Sequence, residues 1–144
     1  MSFVLDSSVS LAWCFEDERT DATDALLERL ADSGAAAPSL WPLEVLNALT
    51  MAERRDRLDS ERRQRLAGFF RDLPVTIDDE TATQAWAVTA QLAVRFRLTL
   101  YDEAYLELAQ RTGLPLATLD RELRSAAGAL GVMLLGSPAD VFPP

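Results

Sequence analysis

Phe3-Val4-Leu5 is an unbroken apolar run that stops at Asp6-Ser7-Ser8. A run that is apolar at successive positions, not alternate ones, suits a strand buried on both faces. That is the condition of a parallel sheet covered by helices. The chain therefore begins inside its own core and leaves a carboxylate at the strand's C-terminal end. In open α/β sheets ligands bind along that edge.

The remaining pattern repeats this strand-then-helix unit. Ser8 to Phe15 reads as a short helix, and Thr20 to Ser33 as a second one stopped by Gly34. Ala35-Ala36-Ala37-Pro38 is a candidate second strand. Trp41-Pro42 opens a helix with proline in its first turn, and Val45, Leu49 and Ala52 form its apolar stripe. Leu66, Phe69, Phe70 and Leu73 recur at helical spacing until Pro74. Val75-Thr76-Ile77 is a third strand. Thr81 and Gln84 fit a capping box for a helix whose face carries Ala82, Ala85, Trp86, Thr89, Leu92, Ala93 and Phe96. A helix follows through Tyr101, Ala104, Tyr105 and Leu108 to Gly113. Leu114 to Leu119 reads as a strand ending at Asp120, Leu123 to Leu130 as a short helix, and Val132 to Leu135 as a last strand. The tail from Gly136 to Pro144 reads as loose. Strands alternating with helices imply an α/β fold around a parallel sheet of about five strands, covered on both faces. Residues 1–144 are expected to form a single domain.

Composition narrows the chemistry. There is no histidine, and all fourteen basic residues are arginine. Ser–His and Cys–His catalysis, His-ligated zinc, Schiff bases and a P-loop lysine are excluded, leaving carboxylates, hydroxyls, arginine and backbone. Cys14 has no partner for an internal disulfide, no leader is apparent and no apolar run approaches a membrane span. A cytoplasmic location is expected. The formal net charge of −9 argues against a broad nonspecific nucleic-acid surface. It leaves nucleic acid open as a substrate where cations neutralise the site.

Four acids stand at comparable places. Asp6 follows the first strand and Asp120 the fourth. Glu44 and Asp102 fall in the first turns of their helices. Each alone suits a helix start, where acids cap free N–H groups and oppose the macrodipole. That reading does not account for four of them at one sheet edge, where they repel unless a cation lies between them. An oxygen-only donor set suits Mg²⁺, with Mn²⁺ as a substitute. Such a site can activate water against a phosphodiester.

The segments FVLDSSVSLAWCFEDE, PSLWPLEVLNAL and LTLYDEAYLELAQRTGLPLATLD, with GV near the C-terminus, resemble the PIN-domain ribonucleases. Within that family they look like the VapC-type toxins of bacterial and archaeal toxin–antitoxin pairs. The resemblance runs through nearly the whole chain in order. It implies a three-layer α/β/α sandwich and a metal-dependent endoribonuclease. Asp6, Glu44, Asp102 and Asp120 would be its acidic quartet, both catalytic and metal-binding, with Ser7 and Thr118 as neighbouring hydroxyls. It also implies an RNA substrate, a homodimer and a cognate antitoxin protein. Position 103 is usually small in the family and is Glu here. An adjacent helical residue points about 100° away, so Glu103 is expected at a solvated rim.

Two other readings stand beside this one. An aspartate-nucleophile phosphatase would want a second Asp where Ser8 stands, and a lysine. A catalytically silent binding module on the same fold would not need the four acids. Elsewhere, Asp78-Asp79-Glu80 reads as a loop and cap. The arginines from Arg54 to Arg65 read as a mixed-charge solvated face or an RNA contact. Trp13, Trp41 and Trp86 read as packing residues, and Cys14 as a buried, inert thiol.

Overall fold

The computed structural model describes residues 1–140. Five strands form one parallel sheet in the order β3-β2-β1-β4-β5, where β1 is Val4–Leu5, β2 Ala35–Ala37, β3 Val75–Ile77, β4 Leu116–Ala117 and β5 Leu134–Leu135. The first strand is thus the central one. Phe3, Val4 and Leu5 are fully buried, each such side chain contributing about 1.5–3 kcal/mol. The three alanines of β2 are also buried.

The chain winds outward from β1 in both directions. Helices α1 (Ser7–Ala12) and α2 (Asp21–Ser33) lead to β2 on one side, and α3 (Trp41–Arg54) and α4 (Ser60–Asp72) lead on to the edge strand β3. The chain then returns past β1 through α5 (Thr81–Gln84), a π-helical turn at Ala85–Thr89, α6 (Ala90–Phe96) and α7 (Leu100–Thr112). Strand β4, α8 (Arg121–Ala129) and β5 complete the other side. The direction of winding reverses between β1 and β4, and such a switch point opens a crevice at the strands' C-terminal ends.

Local chemistry explains the element ends. Helix α2 begins at a capping box made by Thr20 and Thr23, each side chain accepting the other's backbone N–H. It ends at Gly34, whose φ of +72° suits glycine. The Trp13 indole N–H donates to the Thr23 carbonyl at 2.7 Å, and that of Trp41 to Ser10 Oγ at 2.9 Å. Both rings are buried, as expected of packing residues.

Three expectations are corrected. Thr81 and Gln84 form no capping box: Glu80 precedes α5 without a side-chain cap. The Thr81 hydroxyl instead accepts the Ser39 N–H at 3.0 Å and donates to Asp78 at 3.1 Å. The stretch from Thr81 to Phe96 is helical throughout, as expected, but not regular: a π-helical turn at Ala85–Thr89 shifts the face that follows. Trp86, within that turn, stands 92% exposed instead of packed. The α4 stripe is largely kept: Phe70 is buried edge-on against Trp41 at 6.2 Å, Leu66 and Leu73 pack against the core, and only Phe69 is exposed. The expected tail falls partly outside the described residues, at 141–144. Within them, Asp140 pairs with Arg124 at 2.7 Å.

Candidate active site

Asp6 is placed by the sheet. Its N–H donates to the Ala117 carbonyl at 3.0 Å, which sets the end of β1 beside β4, and the Thr118 N–H donates to the Leu135 carbonyl at 3.1 Å, which ties β4 to β5. Asp6 is 4% exposed. It accepts hydrogen bonds from Ser8 Oγ at 2.6 Å, Thr118 Oγ1 at 2.7 Å and, more weakly, Ser7 Oγ at 3.4 Å. Burial raises its pKa above the ordinary carboxylate value, and the hydroxyls of Ser8 and Thr118 oppose the rise.

Glu44 projects from the first turn of α3 and is half-buried. Tyr105 Oη, itself fully buried, donates to Glu44 Oε1. Burial raises the Glu44 pKa, the Tyr105 bond lowers it, and the charges of Asp6 and Asp102 raise it again. Asp102 lies in the first turn of α7. Arg97, in the left-handed conformation, ends α6 and turns the chain into Thr99. The Thr99 hydroxyl accepts the Asp102 N–H at 3.1 Å and so caps α7, leaving the Asp102 carboxylate unused as a cap. Burial raises its pKa, followed by the charges of Asp120 and Asp6.

Asp120 follows β4 and is exposed. It is a true helix cap, accepting the Leu123 N–H of α8 at 2.9 Å through Oδ1, while its own N–H donates to Thr118 Oγ1 at 3.1 Å. The structure thus brings Asp6, Glu44, Asp102 and Asp120 to one edge, where their charges act on one another. The simple capping role fits only Asp120. No ion pair among the described residues reaches any of the four.

A rival acidic group lies at the end of β3. The carboxylates of Asp78, Asp79 and Glu80 offer oxygens within 4.8 Å of one another, and no other acidic trio among the described residues is so tight. That group already contains a cation. Arg111 donates to Asp78 at 2.7 Å and Glu80 at 3.0 Å, and to the buried Glu107 at 2.7 Å. Although burial pushes the Asp78 carboxyl upward, its bonds from Arg111 hold it below the usual range. The quartet is the looser group, but its charge is uncompensated. Its four hard oxygen donors suit Mg²⁺ or Mn²⁺.

Glu103 contradicts the solvated rim expected for it. It is fully buried, and neither carboxylate oxygen has a hydrogen-bond partner. The expectation assumed a helix with one wet side, but every residue from Glu103 to Ala109 is buried. Burial, then the charge of Asp102, pushes its pKa up to about 7.

Ser8, Thr99 and Tyr105 were not singled out as site residues from sequence. Ser8 reads there as the start of the first helix and Tyr105 as one position of a helical stripe. The signal for Tyr105 is its spacing, three residues after Asp102 and so on the same helix face. Half of the six arginines from Arg54 to Arg65 hold acids or a backbone carbonyl of this chain. Arg57 pairs with Asp17 at 3.0 Å, Arg62 donates to the Cys14 carbonyl at 2.6 Å, and Arg63 pairs with Glu53 at 2.9 Å. Cys14 is buried, and burial pushes its thiol pKa up to about 12, in keeping with an inert thiol.

Comparison with known proteins bears on this arrangement. The PIN domain family matches residues 3–129. Ribonuclease VapC3 of Pyrobaculum aerophilum is 31% identical over 134 residues, covering 90% of this chain and 98% of the relative. PAE2754, also from Pyrobaculum aerophilum, superposes with a TM-score of 0.64 at 24% identity, over 93% of this chain and 90% of that one. VapBC2 from Rickettsia felis, bound to a DNA fragment from its promoter, gives a TM-score of 0.64 at 15% identity, over 93% and 97% of the two chains. FitAcB from Neisseria gonorrhoeae gives 0.64 at 16%, over 92% and 95%. With the family matched from the first strand to the last helix, and a VapC ribonuclease aligned along nine-tenths of its length, the chain belongs to the PIN-domain family.

Proposed function

We propose that the protein is a divalent-metal-dependent endoribonuclease, and that it acts as the toxin of a toxin–antitoxin pair. One observation carries the reading: Asp6, Glu44 and Asp102 converge on one sheet edge with no cationic partner, and burial together with their mutual charge raises their pKa values, a cost that a bound cation would offset. A bound Mg²⁺ or Mn²⁺ would supply hydroxide near neutral pH and offset charge developing on a phosphodiester. Asp6, Glu44, Asp102 and Asp120 would hold it. Ser8 and Thr118 fix the Asp6 oxygens, and Thr99 leaves Asp102 free to face the site.

The test is cleavage of a mixed RNA pool by the purified protein. Cutting is expected with Mn²⁺ or Mg²⁺, with loss in EDTA and a drop of about 100-fold or more in Asp102→Asn, the scale of removing an electrostatic stabiliser from a reacting site. Equal cutting by parent and Asp102→Asn would refute the assignment.

An antitoxin partner is supported by the VapC relative and by an apolar groove of about 280 Å³ lined by Trp41, Val45, Leu46, Phe70, Leu73 and Ile77. We also propose a homodimer. Trp86 is 92% exposed, Leu43 73% and Tyr101 67%, and Leu43 and Tyr101 border one shallow apolar groove with Ala85. Such exposure is unusual on a protein that stays monomeric. Sedimentation should give a dimer for the parent and a monomer for Trp86→Asp; a parent that sediments as a monomer would end this reading. Among the described residues no helix is long and apolar enough to cross a membrane.

A further inference from the structure

The two acidic groups of this protein are held in opposite ways. Asp78 and Glu80 are held by a guanidinium, which satisfies their charge. Asp6 and Glu44 are held by uncharged donors: chiefly Ser8 and Thr118 on Asp6, and Tyr105 with Ser7 on Glu44. A neutral donor orients a carboxylate without cancelling its charge, so the negative field stays available to a ligand.

Tyr105 is the most committed of these donors. It is fully buried, it lies one helical turn after Asp102 on α7, and its partner comes from α3, 61 residues earlier. The phenol therefore couples the two helices that carry Asp102 and Glu44. It holds Glu44 Oε1, so one carboxylate oxygen is fixed while the group keeps its charge. A donor beyond a ligating carboxylate sets the orientation and basicity of that ligand.

We propose that Tyr105 is a positioning residue for Glu44, fixing which carboxylate oxygen is presented to a divalent cation without neutralising the carboxylate. This rests on the metal-dependent reading above, and concerns a residue that does not itself touch the substrate.

The test is Mn²⁺ binding by the full chain, followed by calorimetry with no RNA present. Tyr105→Phe keeps the ring and removes only the donor. It should fold, with a metal-free melting temperature near the parent's, and bind Mn²⁺ about 10-fold or more weakly. Glu44→Gln should weaken binding on its own, and adding Tyr105→Phe to it should cause little further loss. An affinity for Tyr105→Phe within twofold of the parent would overturn the proposal. So would an equal loss on the Glu44→Gln background, because Tyr105 would then act through something else. Should the variant fail to fold, the parent still decides: a downfield, slowly exchanging phenolic proton is expected in its NMR spectrum and should vanish in Glu44→Ala, which removes the acceptor. Absence of that resonance in the parent would overturn the proposal equally. A parent that binds no Mn²⁺ would instead remove the metal-dependent reading, and this inference with it.

Discussion

Glu103 shows most plainly how a single residue can work against its fold. A buried carboxylate without a partner is costly when ionised, so the folded state prefers it protonated. Its pKa rises from 4.5 to about 7 on folding. Between those values the folded state binds more protons than the unfolded one, so stability falls as pH rises through the window and the full penalty is present above it. That penalty is on the order of 3 kcal/mol. Glu103→Met removes the charge at similar volume. Its metal-free melting temperature should exceed the parent's by several degrees at pH 8 and by little at pH 4.5, at about 2–4 °C per kcal/mol for a chain of this size. Equal gains at both pH values would mean that the carboxylate is not the cause. The Glu103 environment was not legible in the sequence, because the angular argument from Asp102 presumes a helix with one solvated side. The quartet was more accessible, because each acid sits at a strand end or in a helix's first turn. The hydroxyl donors were less so: a hydrogen bond between Tyr105 and Glu44 crosses 61 residues and leaves no local pattern.

At the scale of elements, the Arg111 network ties the C-terminal half of α7 to the loop after β3. Glu107 is nearly buried, and Arg111 is the partner that meets its charge. Arg111→Met would leave Glu107 facing the interior unpaired, beside Asp78. The cost should be about 3–5 kcal/mol, seen in chemical denaturation, because removing one partner strands the other's charge. A loss below ~1 kcal/mol would place the network in the class of exposed surface pairs. The strands and most helices were legible, because caps, prolines and glycines mark their ends. The π-helical turn at Ala85–Thr89 was not. Ala82, Ala85, Trp86 and Thr89 keep ordinary helical spacing, and nothing local distinguishes a π-helical turn from a regular one. Hence Trp86 read as a packing residue, and only its solvent exposure reveals an unpartnered face.

At the scale of the whole molecule, the site is a product of strand order. Asp6 and Asp120 are 114 positions apart, yet they follow neighbouring strands because the winding reverses between β1 and β4. Helices α3 and α7 then carry Glu44 and Asp102 to the same edge. Sequence reading could reach the parallel sheet and its ligand-binding edge; the order of strands follows from crossovers whose lengths do not state which side they take. The central claim is that this uncompensated quartet, and not the tighter Asp78–Glu80 group, is the cation site. Crystals grown with Mn²⁺ test it through the metal's anomalous scattering. The expected result is a peak among Asp6, Glu44, Asp102 and Asp120, absent from crystals of Asp6→Asn. A peak beside Asp78, Asp79 and Glu80, or none at millimolar Mn²⁺, would contradict it.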